Sequence, residues 1–233
     1  VTNSLLAAAP PEISSAASRP AGPSDARERS LDELCARIRA CRMCRDAPLG
    51  TPLEREPNPV FVLSPTARIC IAGQAPGNLA DRSGRPFTDP SGVRLRAWMG
   101  VGEDVFYDSR RVAIVPMGFC FPGTDPKGGD RPPRPECRRL WHAEVFAAMP
   151  QLSLILAVGR AAQSWHLGPQ GLAGRSVAEA LELWMERRSE SREGPTILPL
   201  PHPSWRNSGW ISRNPWFEET ILPELRQRIA ALV

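Results

Sequence analysis

Arg68-Ile69-Cys70-Ile71-Ala72-Gly73-Gln74-Ala75-Pro76-Gly77 is a short apolar, β-prone run that breaks into a loop of small residues and proline. A near-continuous apolar run suits a strand buried on both faces, as in a parallel sheet covered by helices. Three more runs of this kind follow: Arg111–Val115, Leu152–Val158 and Thr196–Leu200. Helical candidates lie between and after them, at Val93–Val101, Cys137–Met149, Arg160–His166 and Val177–Glu186, with a last helix from about Pro215 to Leu232. Strands alternating with helices predict an α/β fold. The expectation is one three-layer domain, with a central, mainly parallel, four-stranded sheet flanked by helices. In such sheets ligands bind beyond the carboxyl ends of the strands, so the loops after the first, second and fourth strands are where chemistry is expected.

Outward from this core, the chain has 233 residues, 42% of them hydrophobic and 23% charged, enough for one sizeable domain with a real core. Residues 1–30 are rich in Ala, Pro and Ser and lack apolar periodicity, so they read as a disordered leader, with the domain over 31–233. A first helix is expected from Leu31 to Arg42, capped by Ser30. The short apolar run at Leu5–Ala9 has no basic segment before it and does not read as a signal peptide. No apolar run is long enough to span a bilayer. The expectation is a cytoplasmic, monomeric protein with reduced cysteines. The formal charge of +4 is compatible with an anionic partner, although with Lys127 as the only lysine it equally reflects a bias toward arginine.

The six cysteines are Cys35, Cys41, Cys44, Cys70, Cys120 and Cys137. Cys41 and Cys44 form a CxxC pair, and Cys120 and Cys137 bracket a loop rich in Pro and Gly. Four thiolates from two regions suit a [4Fe–4S] cluster or, alternatively, a structural zinc. Cys70 lies within a strand and reads as an inert core residue, and Cys35 as packing.

The loops carry the distinctive residues. Gly73-Gln74-Ala75-Pro76-Gly77 and Gly84-Arg85-Pro86-Phe87-Thr88-Asp89-Pro90 follow the first strand. Pro116-Met117-Gly118-Phe119-Cys120 follows the second, and Pro201-His202-Pro203-Ser204-Trp205-Arg206-Asn207 the fourth. In order and spacing these resemble the uracil-DNA glycosylase superfamily, most closely its iron–sulfur branch, over about residues 35–220. That branch has Gly-Glu-(Gly/Ala)-Pro-Gly after its first strand, then Gly-Arg-Pro-Phe, and later His-Pro-(Ser/Ala). The chain departs from it at Gln74, where the branch has an acid, and at Ala75, where other branches have aspartate. Around Pro116 or Met117 the family's base-reading asparagine is replaced.

The resemblance implies a DNA-repair enzyme that flips uracil out of single- or double-stranded DNA and hydrolyses its N-glycosidic bond, leaving an abasic site. It implies His202 as a hydrogen-bond donor to the departing base and Phe87 as the ring stacked on it. The backbone N–H groups of Ala75 and Gly77 are candidates to bind base oxygens. Gln74 could position water, and Asp89 is the expected carboxylate, with Asp81 as its alternative. Ser204, Trp205, Arg206 and Asn207 sit where the superfamily inserts a wedge and contacts phosphate. The resemblance also places the cluster on Cys41, Cys44, Cys120 and Cys137. The absent asparagine leaves other deaminated bases, hypoxanthine or xanthine, as alternative substrates. The two empty acidic positions leave a non-catalytic lesion-DNA-binding protein as another reading. An iron–sulfur electron carrier, a fourth possibility, would not need the His202 loop.

Overall fold

The computed structural model describes residues 23–168, 176–187 and 194–233. Its centre is one sheet of four parallel strands in the order β2-β1-β3-β4: β1 (Ile69–Ala72), β2 (Val112–Ile114), β3 (Leu154–Val158) and β4 (Thr196–Leu200). All four coincide with the predicted runs to within two residues at either end. Two helices precede the strands, α1 (Pro23–Arg39) and the single turn α2 (Met43–Asp46). Between β1 and β2 lie α3 (Asn78–Ser83), α4 (Pro90–Met99) and α5 (Glu103–Phe106), and α6 (Pro135–Ala147) joins β2 to β3. α7 (Arg160–His166) and α8 (Val177–Arg187) follow β3, and α9 (Ser208–Arg213) and α10 (Leu222–Ala230) follow β4.

The alternation of side chains along a strand divides each apolar run between two cores. Cys70, Ala72, Ala113, Val115, Ile155 and Ala157 face α1, α2 and α6, joining Leu34, Ile38 and Val145. Ile69, Ile71, Val112, Ile114, Leu154, Leu156 and Val158 face the other way, against Leu95, Trp98, Leu181, Phe217 and Leu225. The result is the expected three-layer α/β arrangement. Both sheet edges fit their sequences. Pro199 cannot donate to a ladder and lies in the outermost strand β4. The other edge, β2, is covered by an antiparallel bridge in which Val62 and Ile114 exchange backbone hydrogen bonds of 2.8 Å.

Two boundaries differ from expectation. The first helix starts at Pro23 rather than Leu31, so part of the segment read as leader is helical. Proline is well placed in a first turn, and Ala26 to Arg29 contains no helix breaker, so Ser30 lies inside the helix instead of capping it. The segment 1–22 lies outside the described residues. The last helix is interrupted by a π turn at Phe217–Ile221 before α10 begins. Pro223, which has no N–H for an i→i−4 bond, comes two residues after that turn ends. Among the described residues no helix is long and apolar enough to cross a membrane.

Candidate active site and cysteine cluster

Because all four strands are parallel, their carboxyl ends share one edge. The strand order reverses between β1 and β3, and at that point Gln74, just after β1, lies against Gly159, just after β3. A Cβ at Gly159 would stand 2.6 Å from the Gln74 Nε2, and its φ of +79° is one glycine adopts freely. Beyond β1 and β2 the backbone keeps pairing, with Met117 N–H on Gly73 O at 3.0 Å and Gly118 N–H on Gln74 O at 2.9 Å.

A cavity of about 70 Å³ opens at this edge, its walls including Gln74, Ala75, Gly77, Phe87, Asp89, Pro116, Asp130 and His202. A wider groove of about 540 Å³ continues from it along Arg94, Gly129, Pro203, Ser204, Trp205, Arg206 and Asn207, with Gln74, Asp89, Asp130 and His202 common to both. The fold therefore brings together Gln74, Ala75, Gly77, Phe87, Asp89, His202, Ser204, Trp205, Arg206 and Asn207 at one edge.

Phe87 holds its position through strained backbone. Its φ of +55° is the only positive value for a non-glycine among the described residues. The conformation is held by a hydrogen bond from the Tyr107 hydroxyl to Phe87 O at 2.9 Å. Gly92 is pressed so close that a Cβ there would lie 1.9 Å from the same carbonyl. The ring is half-buried, edge-on to Phe106 with centroids 5.9 Å apart. It also covers Gly73, where an added Cβ would meet Phe87 Cζ at 3.4 Å. Phe87 is thus a fixed wall of the cavity before any ligand enters.

His202 is fixed just as tightly. The Ser204 N–H donates to its Nδ1 at 3.2 Å, and the Asn207 side chain donates to its carbonyl at 2.7 Å. With Nδ1 accepting, the neutral ring carries its proton on Nε2. Burial holds the imidazole pKa below its ordinary value, while the charge of Asp89 acts in the opposite direction. The group is therefore a neutral N–H donor at physiological pH.

Asp89 caps α4: Oδ1 accepts the Gly92 N–H at 3.1 Å and Oδ2 accepts the Ser91 hydroxyl at 2.8 Å. Asp81 is not among the residues around the cavity. It is buried, 2.6 Å from Arg55 Nη2, and the Asn58 amide donates to its backbone carbonyl at 2.6 Å. Trp205 is 76% exposed on the groove rim, whereas Trp210 packs edge-on against Trp216 and Phe217. Arg94 bonds Ser204 O at 3.1 Å and ties α4 to the rim segment.

Asp130 and Arg94 also line the groove, and the sequence reading missed both. Arg94 sits on the exposed side of a helix like many arginines. Asp130 belongs to a loop whose only signal is the Gly128-Gly129-Asp130 turn between two cysteines, and nothing in that pattern says which part of the chain it will face.

All six cysteines are free. Cys44, Cys120 and Cys137 are buried and Cys41 is half-buried, all packed in the core between α1, α2 and α6. Cys44 and Cys137 share a hydrogen bond that pulls the Cys44 thiol down to about 7 and pushes Cys137 up. Burial, then the charge of Cys44, raises Cys120 to about 12, with Cys41 adding to it. The Phe119 N–H points at Cys137 Sγ from 3.4 Å, and the Asn58 backbone hydrogen-bonds Cys120. These four thiols are neighbours with amide donors on two of them, a donor set that fits a thiolate-bound group. Among the described residues no three His, Cys, Asp or Glu side chains close around a single metal-ion position. Cys35 and Cys70 are core residues on the same side of the sheet, and burial pushes Cys70 to about 12. Glu136, at the start of α6, accepts the Leu49 N–H at 2.9 Å and so ties the segment after α2 to α6.

Residues 60–226 match the family model described as Uracil DNA glycosylase superfamily, which spans the sheet, Phe87, His202 and the groove, and the chain belongs to that superfamily of DNA-repair glycosylases, hydrolases that act on DNA.

Proposed function

We propose that the protein excises uracil from DNA by hydrolysing the N-glycosidic bond, leaving an abasic site. The observation that carries this reading is the hydrogen bond from the Ser204 N–H to His202 Nδ1, which selects the Nε2–H tautomer. A neutral Nε2–H, held by the Ser204 N–H on Nδ1, can donate to a base oxygen as the glycosidic electrons move onto the departing base. A fixed donor of this kind acts most strongly when that charge is nearly complete. The target nucleotide must leave the stack to reach it. Phe87 offers the flipped base a face, the Ala75 and Gly77 backbone lines the same cavity, and Gln74 can hold water or a base edge. Ser204, Trp205, Arg206 and Asn207 border the groove that runs from the cavity. There the exposed indole can occupy the vacated stack and the arginine a phosphate.

The four neighbouring thiols support a [4Fe–4S] cluster held by Cys41, Cys44, Cys120 and Cys137. A structural zinc on the same four thiols is the alternative. The cluster would fasten α2 to α6 and to the segment after β2.

A second reading, a hypoxanthine or xanthine glycosylase, is favoured by Pro116. This residue lines the cavity without a side-chain amide or an N–H to read uracil, and its carbonyl is 3.1 Å from His142 Nε2. Incubation with a panel of uracil, hypoxanthine and xanthine duplexes, followed by alkaline strand cleavage, separates the two. His202→Ala is expected to slow excision by about two orders of magnitude. Wild-type rates in that variant would move the site elsewhere, and base release from no duplex would leave a lesion-binding protein.

A further inference from the structure

Both acidic positions of the first loop are empty, occupied by Gln74 and Ala75. Asp89 has an oxygen on the Gly92 N–H and the other on the Ser91 hydroxyl, as a helix cap does. The chemistry still calls for a group to take a proton from water. The segment between Cys120 and Cys137 brings a carboxylate to the cavity wall.

That segment folds back on itself as a hydrogen-bonded turn. Asp125 N–H reaches Gly129 O at 2.8 Å, Arg131 N–H reaches Gly123 O at 2.9 Å, and Thr124 bridges Asp130. The turn carries the Asp130 carboxylate over the first loop. A Cβ at Gly77 would stand 3.3 Å from Asp130 Oδ2, so any larger residue there would crowd the carboxylate. Gly129, at φ +93°, lies against the Arg206 guanidinium, where a Cβ would come within 2.6 Å of Nη1. Asp130 lines both the cavity and the groove, alongside His202. Among the described residues no hydrogen bond or ion pair occupies its carboxylate oxygens, in contrast to Asp81 and Asp89.

We infer that Asp130 is the general base of the hydrolysis, taking the proton of the water that attacks C1′. The inference rests on the glycosylase reading given above. In the step, the bond from C1′ to the base nitrogen breaks and its electron pair leaves with the base, whose oxygen accepts the His202 Nε2–H hydrogen bond. The water oxygen bonds C1′ and keeps one hydrogen as the new hydroxyl. Its other proton passes to Asp130 and from there to solvent, and the released base anion takes up a proton from solvent. Asp130 is an exposed residue, but partial desolvation of its carboxylate at the cavity wall raises its proton affinity, the charge of Asp89 adds to it, and Arg206 opposes both. A raised affinity makes a carboxylate a better base. Asp89 and Arg206 are the charged groups acting on it, and His202 lines the same cavity as a neutral ring.

The test is single-turnover excision from a lesion duplex, with DNA affinity and thermal midpoint measured on the same samples. Asp130→Asn is expected to cut the excision rate by about 100-fold or more, the scale of general-base loss. Affinity should hold or rise, because a negative charge facing phosphate is removed. In the wild type the rate should fall as pH drops through the carboxylate pKa; in Asp130→Asn that acidic limb should vanish. Asp130→Glu should restore part of the rate. Asp130→Asn excising within about threefold of wild type would overturn the inference while leaving the glycosylase reading intact. A lost rate accompanied by lost binding or a lower thermal midpoint, with the acidic limb retained, would also overturn it, in favour of a structural role for the turn. Wild-type protein that releases no base from any duplex would end both readings, with His202→Ala then indistinguishable from wild type.

Discussion

Acidifying the protein from about pH 7 to about pH 4.5 favours the charged form of two imidazoles that the fold keeps buried and neutral. His142 and His166, on α6 and α7, lie in the α/β/α sandwich on either side of Phe146, with ring centroids 5.8 and 5.1 Å from it. Burial pulls each pKa from 6.5 to about 4, helped for His142 by Arg138 and for His166 by His142, while the Pro116 carbonyl opposes the shift at His142. Among the described residues, His142 Nδ1 and His166 Nε2 have no hydrogen-bond partner. Because the folded pKa lies below the unfolded one, the folded state binds fewer protons. Stability is therefore complete above the unfolded pKa and is lost as pH falls through the interval toward about 4. At about 1.36 kcal/mol per pKa unit, each imidazole costs about 2.5 kcal/mol by pH 4.5, and the pair about 4–5. That is a large share of the stability of an ordinary domain, about 5–15 kcal/mol. Urea unfolding across this pH range measures it, comparing wild type with His142→Gln/His166→Gln. The double variant is expected to lose about 4 kcal/mol less than wild type between the two ends of the range. Equal losses in both proteins would refute the argument, because carboxylate titration is common to both.

Gly92→Ala pushes a methyl group into the Phe87 carbonyl, so the wall residue must give up its φ of +55°. Thermal stability should drop by about 1–3 kcal/mol, with excision impaired at least as much; an unchanged melt would show that the turn can relax. DNA affinity should fall linearly on a logarithmic plot against salt, and Arg206→Ala should flatten the slope by about 1, the signature of one lost phosphate contact. A slope equal to wild type would remove Arg206 from the interface. Protein purified without oxygen should be brown and contain iron, and Cys44→Ser should reduce both. Zinc at one equivalent would replace the cluster with a single-ion staple, and metal-free folded protein would remove the site altogether.

The sheet was readable because its strands are buried on both faces and therefore nearly continuous in apolar residues; Leu154–Val158 has no polar residue to blur it. The short helices α3, α5 and α9 were not, since one or two turns leave too few residues to show a period. That His202, Phe87 and Gln74 meet at one cavity was legible because each lies just beyond a recognisable strand end or in a distinctive loop. The status of Asp89 and Asp81 was not. One caps a helix and the other pairs with Arg55, a residue 26 positions away in sequence, and only packing reveals such partners. Asp130 was invisible for the same reason. Its turn is local, but its approach to Gly77 joins loops more than 50 residues apart.

For Phe87 in its proposed role as the stacking ring, the fixed conformation has a thermodynamic consequence for the encounter with DNA. Most aromatic side chains that stack on a ligand lose rotational freedom as they do so, and the affinity is reduced by that loss. Here the Tyr107 hydroxyl and the missing Gly92 side chain have already confined the Phe87 backbone, and Phe106 and Gly73 have confined its ring. The ordering is completed during folding, when stacking partners and strain are settled together. Base capture then carries little further entropic penalty on the protein side, and the cost of the event falls mainly on the nucleotide as it leaves the stack. Calorimetry on an already single-stranded or mispaired target should accordingly differ from a paired one chiefly by the work of opening the DNA.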